Sequence, residues 1–337
     1  MKYHIVCPEE KTCLINMPDL VVQTIQTMTD RIRYFSVYRP DGGVLPGYTA
    51  GAHIQINTVG DSLRAYSLID FTPPETSPTC YRFAVQLEPD GQGGSQFMHA
   101  LKVGDLLHST EPENSFSLID DHRPVLLLAG GIGITPLISM ATELHHSRKP
   151  FELHYSSRSA DAMAFRNELM HHFGENGLSP HIYFYYDDIS DRTLDLTALF
   201  SKLSSDEHVY ICGPRGMIDA ARACAEDEGL PASQIHVELF DTPATDDSDG
   251  AFEVQLKSSG EIYRVPKDKT IIDVLEAAGI DTVYDCQRGD CGICQTTVLE
   301  GEIDHRDVVL SSAERAQGDV MQICVSRAKS SRLVLDL

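Results

Sequence analysis

Apolar and polar positions along the chain change texture twice. Over residues 20–120 they alternate in short runs, as at 50–57 and 81–87, with Pro and Gly recurring between them at 40–43, 73–74 and 89–94. Such alternation with frequent turn residues predicts half-buried antiparallel strands in a small barrel or sandwich, of which the barrel is the expectation carried forward. From about residue 121 the pattern becomes strand, turn, helix. Residues 124–129 are continuously apolar, as a parallel strand covered on both faces requires, and 151–155 and 208–212 are further strand candidates. Amphipathic helices are expected over 136–146 and 216–228, which makes 121–240 an α/β parallel-sheet region. Residues 241–250 hold four Asp, one Pro and no large apolar side chain, the composition of a solvated linker. Beyond it, 252–256 and 261–265 read as a hairpin turned at 258–260. Thr270 then caps a helix, with Asp273 at its third position and Gly279 as its stop. The expected organisation is an N-terminal extension (1–19), a β-barrel (20–120), an α/β domain (121–240), a linker (241–250) and a small α+β domain (251–337). No role is apparent for Cys7 and Cys13 in the extension.

Charge narrows the partners. The 337 residues carry 50 acidic and 27 basic side chains, a net charge of −23. Nucleic acid is not expected as a partner, since its binding rests on a basic footprint. An acidic surface suits docking to a basic protein patch, and it equally serves solubility. No apolar run approaches the ~18 residues that a membrane span needs. The first residues have no apolar run of signal-peptide length. The expectation is a cytoplasmic protein without a membrane partner, whose nine cysteines are reduced thiols or metal ligands.

Four of those cysteines are spaced Cys286-x4-Cys291-x2-Cys294, with Cys324 further on. Three thiolates from one loop and one from elsewhere is the plant-type pattern for a [2Fe–2S] cluster. Gly289 and Gly292 let backbone N–H groups turn toward the cluster sulfurs. Structural zinc usually takes two paired knuckles, and nothing pairs with Cys324. Hairpin, helix, cysteine loop, then strands is the order of a β-grasp ferredoxin.

Two glycine turns follow strands in the α/β region. One contains Gly130, Gly131 and Gly133 and leads through Thr135, as cap, and Pro136, as first helical residue, into the helix; the other contains Cys212, Gly213 and Pro214. Glycine at a strand-to-helix turn lets a pyrophosphate approach backbone N–H groups at the positive helix end. Strand carboxyl ends are where open α/β sheets bind ligands.

These turns resemble the pyridine-nucleotide motifs of the ferredoxin–NADP reductase superfamily. Arg64-Ala65-Tyr66-Ser67 resembles its flavin motif, and Gly93-Gly94-Ser95 its flavin-phosphate turn. The order flavin, nucleotide, ferredoxin is similar to the phthalate dioxygenase reductase and vanillate demethylase reductase group. The resemblance implies that Tyr66 packs on an isoalloxazine, that Ser67 bonds near its N5, and that Ala84 and Val85 lie along it. It implies that Arg64 and Ser95 meet the phosphate; Gln92 stands where members often carry Arg. It places Cys212 beside the nicotinamide and the aromatic ring of Phe240 as a shield over the flavin. By the same resemblance the flavin is FMN rather than FAD. The nucleotide is NADH, although Ser157 and Arg158 would suit the 2′-phosphate of NADPH, which Asp161 would repel. The implied function is the reductase component of a Rieske-type oxygenase or demethylase, passing electrons from NAD(P)H through flavin to the cluster and on to a separate oxygenase. Asp285 and Asp290 are expected to steer that docking. The alternatives are a redox sensor without turnover and a flavin enzyme that reduces a small substrate directly.

Overall fold

The computed structural model describes residues 19–73, 75–174, 181–241 and 249–337. Cys7, Cys13 and most of the expected linker lie outside them. The chain divides into two compact units, Met1–Leu194 and Asp195–Leu337.

The first unit begins with β1 (Asp19–Thr27), β2 (Ile32–Tyr38), β3 (His53–Asn57), β4 (Leu63–Ser67) and β5 (Cys80–Gln86), followed by helix α1 (Gly94–Ala100) and β6 (Leu106–His108). β5, β2, β1 and β6 form an antiparallel sheet in that order, and β3 and β4 form a separate ribbon. Alternation drives the pairing. Phe35 lies opposite Phe83, their rings stacked 5.5 Å apart, in a core with Leu20, Val37, Ile54 and Ile56. Single bridges, His53 to Glu113 and Ile56 to Ser109, tie the ribbon to the chain just after β6.

Next come β7 (Val125–Gly130), α2 (Ile134–His146), β8 (Phe151–Ser157), α3 (Arg166–Phe173) and β9 (His181–Tyr186). β7, β8 and β9 pair in parallel. Every residue of β7 is buried, as its unbroken apolar run requires. The helix after β7 starts earlier than the sequence suggests. Residues Gly131–Gly133 wind as a 3-10 turn directly into α2. Thr135 is therefore inside the helix, its hydroxyl donating to the Ile132 carbonyl rather than capping. Pro136 falls in the first turn, where its missing N–H costs nothing.

The second unit contains α4 (Leu196–Phe200), β10 (His208–Cys212), α5 (Arg215–Asp227) and β11 (Ile235–Glu238). β10 and β11 are parallel, with Cys212 opposite Glu238 at their carboxyl ends. Then follow β12 (Phe252–Leu256), β13 (Ile262–Val265), α6 (Ile271–Ala277), β14 (Gln295–Glu300), β15 (Ile303–Asp304), α7 (Ser312–Gln317), β16 (Val320–Gln322), β17 (Arg327–Ala328) and β18 (Arg332–Leu335). A mixed sheet runs β13-β12-β18-β14-β16, with β12 and β18 parallel and the other pairs antiparallel. Ile271, Ile272 and Leu275 share a buried cluster with Val254, Met321 and Leu333. Burying a leucine of this kind contributes roughly 2 kcal/mol.

Asp249, read as part of a solvated linker, is instead a buried anchor. Arg306 donates to it from both terminal guanidinium nitrogens, Nη1 and Nη2, and the Asp249 side chain is 6% exposed.

α6 begins as the sequence anticipates. Thr270 accepts from the Asp273 N–H, and the Asp273 carboxylate accepts from the Thr270 N–H. Thr270→Ala is expected to lower stability by about 1 kcal/mol, read as a lower urea midpoint with unchanged slope; Thr270→Ser is expected to retain the wild-type value.

Candidate functional site

From residue 279 the chain runs without regular secondary structure to Cys294, and three of the four spaced cysteines lie in that stretch. Cys324 follows β16. Cys294 and Cys324 are buried, and Cys286 and Cys291 are half-buried. The thiols face one another, Cys286 meeting Cys291 and Cys324, and Cys294 meeting Cys324. Hydrogen bonds from Cys291 and then Cys324 hold the Cys286 thiol below its ordinary value, while the same contacts push Cys291 and Cys324 up. Among the described residues no three His, Cys, Asp or Glu side chains converge as a single-ion site needs. A plant-type [2Fe–2S] cluster would take two thiolates on each of its two irons, so three need not converge on one ion.

Glycine makes the loop possible. Gly289 has φ +85°, and a Cβ there would lie 2.6 Å from Val325 Cγ2 and 3.0 Å from the Asp307 Cα. Only a residue without a side chain both turns left-handed and fits against that backbone. The Gly289 carbonyl accepts from the Val308 N–H. Fully buried Asp307 accepts from the N–H groups of Val309 and Leu310, which fixes the neighbouring strand of chain.

α5 grips this region from outside. Arg215 donates to the carbonyls of Arg306 and Asp307 at 3.0 and 3.1 Å, and Arg222 to that of Leu310 at 2.9 Å. Glu226 accepts from the N–H and hydroxyl of Ser312. At the end of β11 the Leu239 N–H donates to Asp290 Oδ2 at 2.8 Å. The cysteine loop is thereby seated against the carboxyl ends of β10 and β11.

A buried charge cluster occupies the seat. Glu238 is 3% exposed, and the side chains of Arg288 and Asp290, 3.6 Å apart, are 15% and 5% exposed. Burial pushes the Glu238 carboxyl up to about 8 against the opposing pull of Arg288. Burial likewise pushes Asp290 up to about 7. The Cys212 thiol, fully buried, is raised well above its ordinary value by desolvation and then by Glu238. Glu238 Oε2, Asp290 Oδ1 and Arg288 Nε have no hydrogen-bond partner among the described residues.

In the first unit, β4 brings Arg64, Ala65, Tyr66 and Ser67 beside Ala84 and Val85 of β5, and the Tyr66 ring stacks 5.5 Å from Phe83. Arg64 donates to Gln92 at 2.8 Å and to Ser62 and the Leu63 carbonyl, which holds its guanidinium at the turn into α1. A Cβ on Gly94 would meet Arg64 Cγ at 3.0 Å, and Gly93 has φ +89°. The Ser95 hydroxyl is turned inward, accepting from the Glu88 N–H at 3.0 Å. Gly130, Gly131 and Gly133 line the turn from β7 to α2, Thr135 and Pro136 lie in the first turn of α2, and Ser157 ends β8 with Arg158 just after it. Cys212, Gly213, Pro214 and Phe240 belong to the second unit, where Pro214 precedes α5 and Phe240 is 38% exposed.

The chain matches two family models: the 2Fe-2S iron-sulfur cluster binding domain over residues 254–329, and the oxidoreductase NAD-binding domain over 127–223. The carnitine monooxygenase reductase subunit of Escherichia coli (strain K12) is 40% identical over 329 residues, with 95% of this chain and 98% of that one covered. The vanillate O-demethylase oxidoreductase of a Pseudomonas species is 38% identical over 324 residues, covering 95% and 100%. The chain belongs to this family of oxygenase and demethylase reductases. The solved structure of phthalate dioxygenase reductase, described as modular and transferring electrons from pyridine nucleotides to [2Fe–2S], is similar at a TM-score of 0.66 and 32% identity. There 95% of this chain and 98% of that one are covered. Full-length CYP116B46 from Tepidiphilus thermophilus gives a TM-score of 0.74 at 36% identity, but the chain spans only 42% of its length. The reductase is therefore an oxidoreductase with a nucleotide domain and a [2Fe–2S] domain. Among the described residues no helix is long and apolar enough to cross a membrane.

Sequence reasoning missed the contacts that seat the cysteine loop in the reductase. Asp290, expected to steer docking from the surface, is buried and bonded to Leu239; only Asp285 of that pair is exposed. The available signal was two opposite charges flanking Gly289, an expensive pair to place in a tight loop unless buried partners meet them.

Glu238 titrates far above its value in an unfolded chain. Its stabilising share is complete below about pH 4.5 and is lost as pH rises toward about 8. Asp290, raised to about 7, acts in the same direction. Glu238→Gln is expected to flatten the fall in melting temperature of the cluster-loaded protein between these limits. Parallel curves for variant and wild type would remove Glu238 from the account.

Proposed function

We propose that the chain is the reductase component of a multicomponent Rieske-type oxygenase or demethylase, taking electrons from NADH and handing them to a separate oxygenase protein. The observation that carries this reading is the seating of the four-cysteine region against the carboxyl ends of β10 and β11, where Cys212 and Glu238 stand. An electron carrier is thus fastened where an α/β sheet receives its ligand.

In this reading Cys286, Cys291, Cys294 and Cys324 hold the [2Fe–2S] cluster, and the left-handed turn at Gly289 fits the loop around it. Residues 20–120 form a flavin-binding barrel, for which the bridges from β3 to the chain after β6 are the support. Residues 121–240 bind the nucleotide, 241–250 link, and 251–337 are the ferredoxin. The flavin, FMN, when bound would take up the two electrons of one hydride together and release them singly. The cradle at its phosphate end fits the group: Gly94 lies against Arg64, whose guanidinium suits an anion, and Gly93 beside it leaves open space. Ser95 contributes its backbone there, since its hydroxyl is engaged with Glu88. Tyr66 packs on the flavin ring, Ser67 donates to it, and Ala84 and Val85 line it. Gly130, Gly131, Gly133, Thr135 and Pro136 receive the pyrophosphate, with Ser157 and Arg158 toward the ribose. Cys212, Gly213 and Pro214 meet the nicotinamide; the unpartnered Glu238 Oε2 suits an amide donor there. With thiol cysteines throughout the described residues, the reading places the protein in the cytoplasm.

A second reading has one observation in its favour. The tetrachlorobenzoquinone reductase of Sphingobium chlorophenolicum is 37% identical over 323 residues, and 98% of it is covered. That similarity supports direct reduction of a small quinone.

Anaerobic addition of NADH to the protein reconstituted with FMN, iron and sulfide separates the readings. The first expects bleaching of the flavin band followed by loss of the iron–sulfur absorption, and a Cys291→Ser variant that loses cytochrome c reduction. Flavin bleaching with an unchanged iron–sulfur spectrum would overturn it. Quinone turnover undiminished in Cys291→Ser would favour the second reading.

A further inference from the structure

The charge beside the nicotinamide bears on how a protein that consumes NADH releases its product. The nicotinamide ring of NAD+ is cationic, whereas that of NADH is neutral. A buried anion beside the ring would hold the product more tightly than the substrate and a buried cation less tightly, and Glu238, pushed up to about 8 by burial, is largely protonated at neutral pH. Glu238 sits opposite Cys212 at the strand ends, 3% exposed, with Oε2 unpartnered. The cation that acts most strongly on it does not come from the nucleotide region. It is Arg288, from the cysteine loop, which also acts on Cys212. Arg288 is fixed by Asp290 at 3.6 Å, and Asp290 is fixed in turn by the Leu239 N–H at 2.8 Å. Arg288 Nε is buried and has no hydrogen-bond partner among the described residues.

We propose that Arg288, carried by the cysteine loop, is a positioning residue that sets the preference of the nucleotide pocket between NADH and NAD+. Its charge, held against Glu238, opposes the cationic ring and so favours departure of the oxidised product. The inference rests on the placement of the nicotinamide beside Cys212 and Glu238 in the function proposed above. Because the group is little exposed, solvent screens the effect weakly, and one such charge near the ring is worth about tenfold in relative affinity. The ferredoxin region thereby takes part in nucleotide selection besides receiving electrons.

The test is equilibrium binding to the full-length, oxidised, flavin- and cluster-loaded protein. Titration calorimetry with NAD+ is compared with the tetrahydro analogue of NAD, whose ring is neutral and gives no hydride. Arg288→Gln is expected to tighten NAD+ about tenfold relative to the analogue, and Arg288→Lys to keep the wild-type ratio. Asp290→Asn, which frees the Arg288 charge, is expected to shift the ratio about threefold the other way, and it decides the matter if Arg288→Gln does not retain its cluster. An unchanged ratio in Arg288→Gln, or equal weakening of both ligands, overturns the proposal. Glu238→Gln separates the two layers. If it shifts the ratio while Arg288→Gln does not, the nicotinamide placement stands and this proposal falls. If Glu238→Gln leaves both affinities unchanged, the placement and the proposal fall together.

Discussion

The hydrogen bond from the Leu239 N–H to Asp290 joins the end of β11 to the middle of the cysteine loop, at a point almost closed to solvent. A buried carboxylate with one bonded oxygen and one orphaned oxygen is costly, and Arg288 offsets that cost only from the same loop. The loop can place both charges there because Gly289, between them, turns left-handed where a Cβ would strike Val325 and Asp307. Three demands meet within six residues, 286–291: hold thiols for a cluster, bury a charge pair, and pack against a strand end. Much of the second unit is arranged to satisfy them, including the grip of α5 on residues 306–312.

The regular elements were legible because each rests on local chemistry. The apolar run of β7 admits one reading, a covered parallel strand, and its burial agrees. The capping box of α6 is written in Thr270, Asp273 and the stop at Gly279. The cysteine spacing pointed to a [2Fe–2S] domain, which the family match over 254–329 supports. The start of α2 was misplaced because a glycine turn that winds smoothly into a helix leaves no break for a cap residue to mark.

What stayed hidden was non-local. Nothing near Asp249 announces that Arg306 will bury it, since their union depends on how β12 and the chain after β15 come together. Asp290 read as a surface charge for the same reason: its partner Leu239 lies far back along the chain. Composition describes the average fate of an acidic residue, and these two are exceptions set by tertiary packing. Likewise Glu238 looked like one letter in an ordinary strand end until the loop closed over it.

The grip of α5 has a bearing on how such a protein changes over generations. Arg215 and Arg222 take hold of carbonyl oxygens at 306, 307 and 310, groups that any amino acid supplies. An attachment that reads main chain rather than side chain places little constraint on the letters at positions it touches. Exposed side chains around the iron–sulfur region are then open to drift toward a new electron acceptor, while the module stays moored to the same helix.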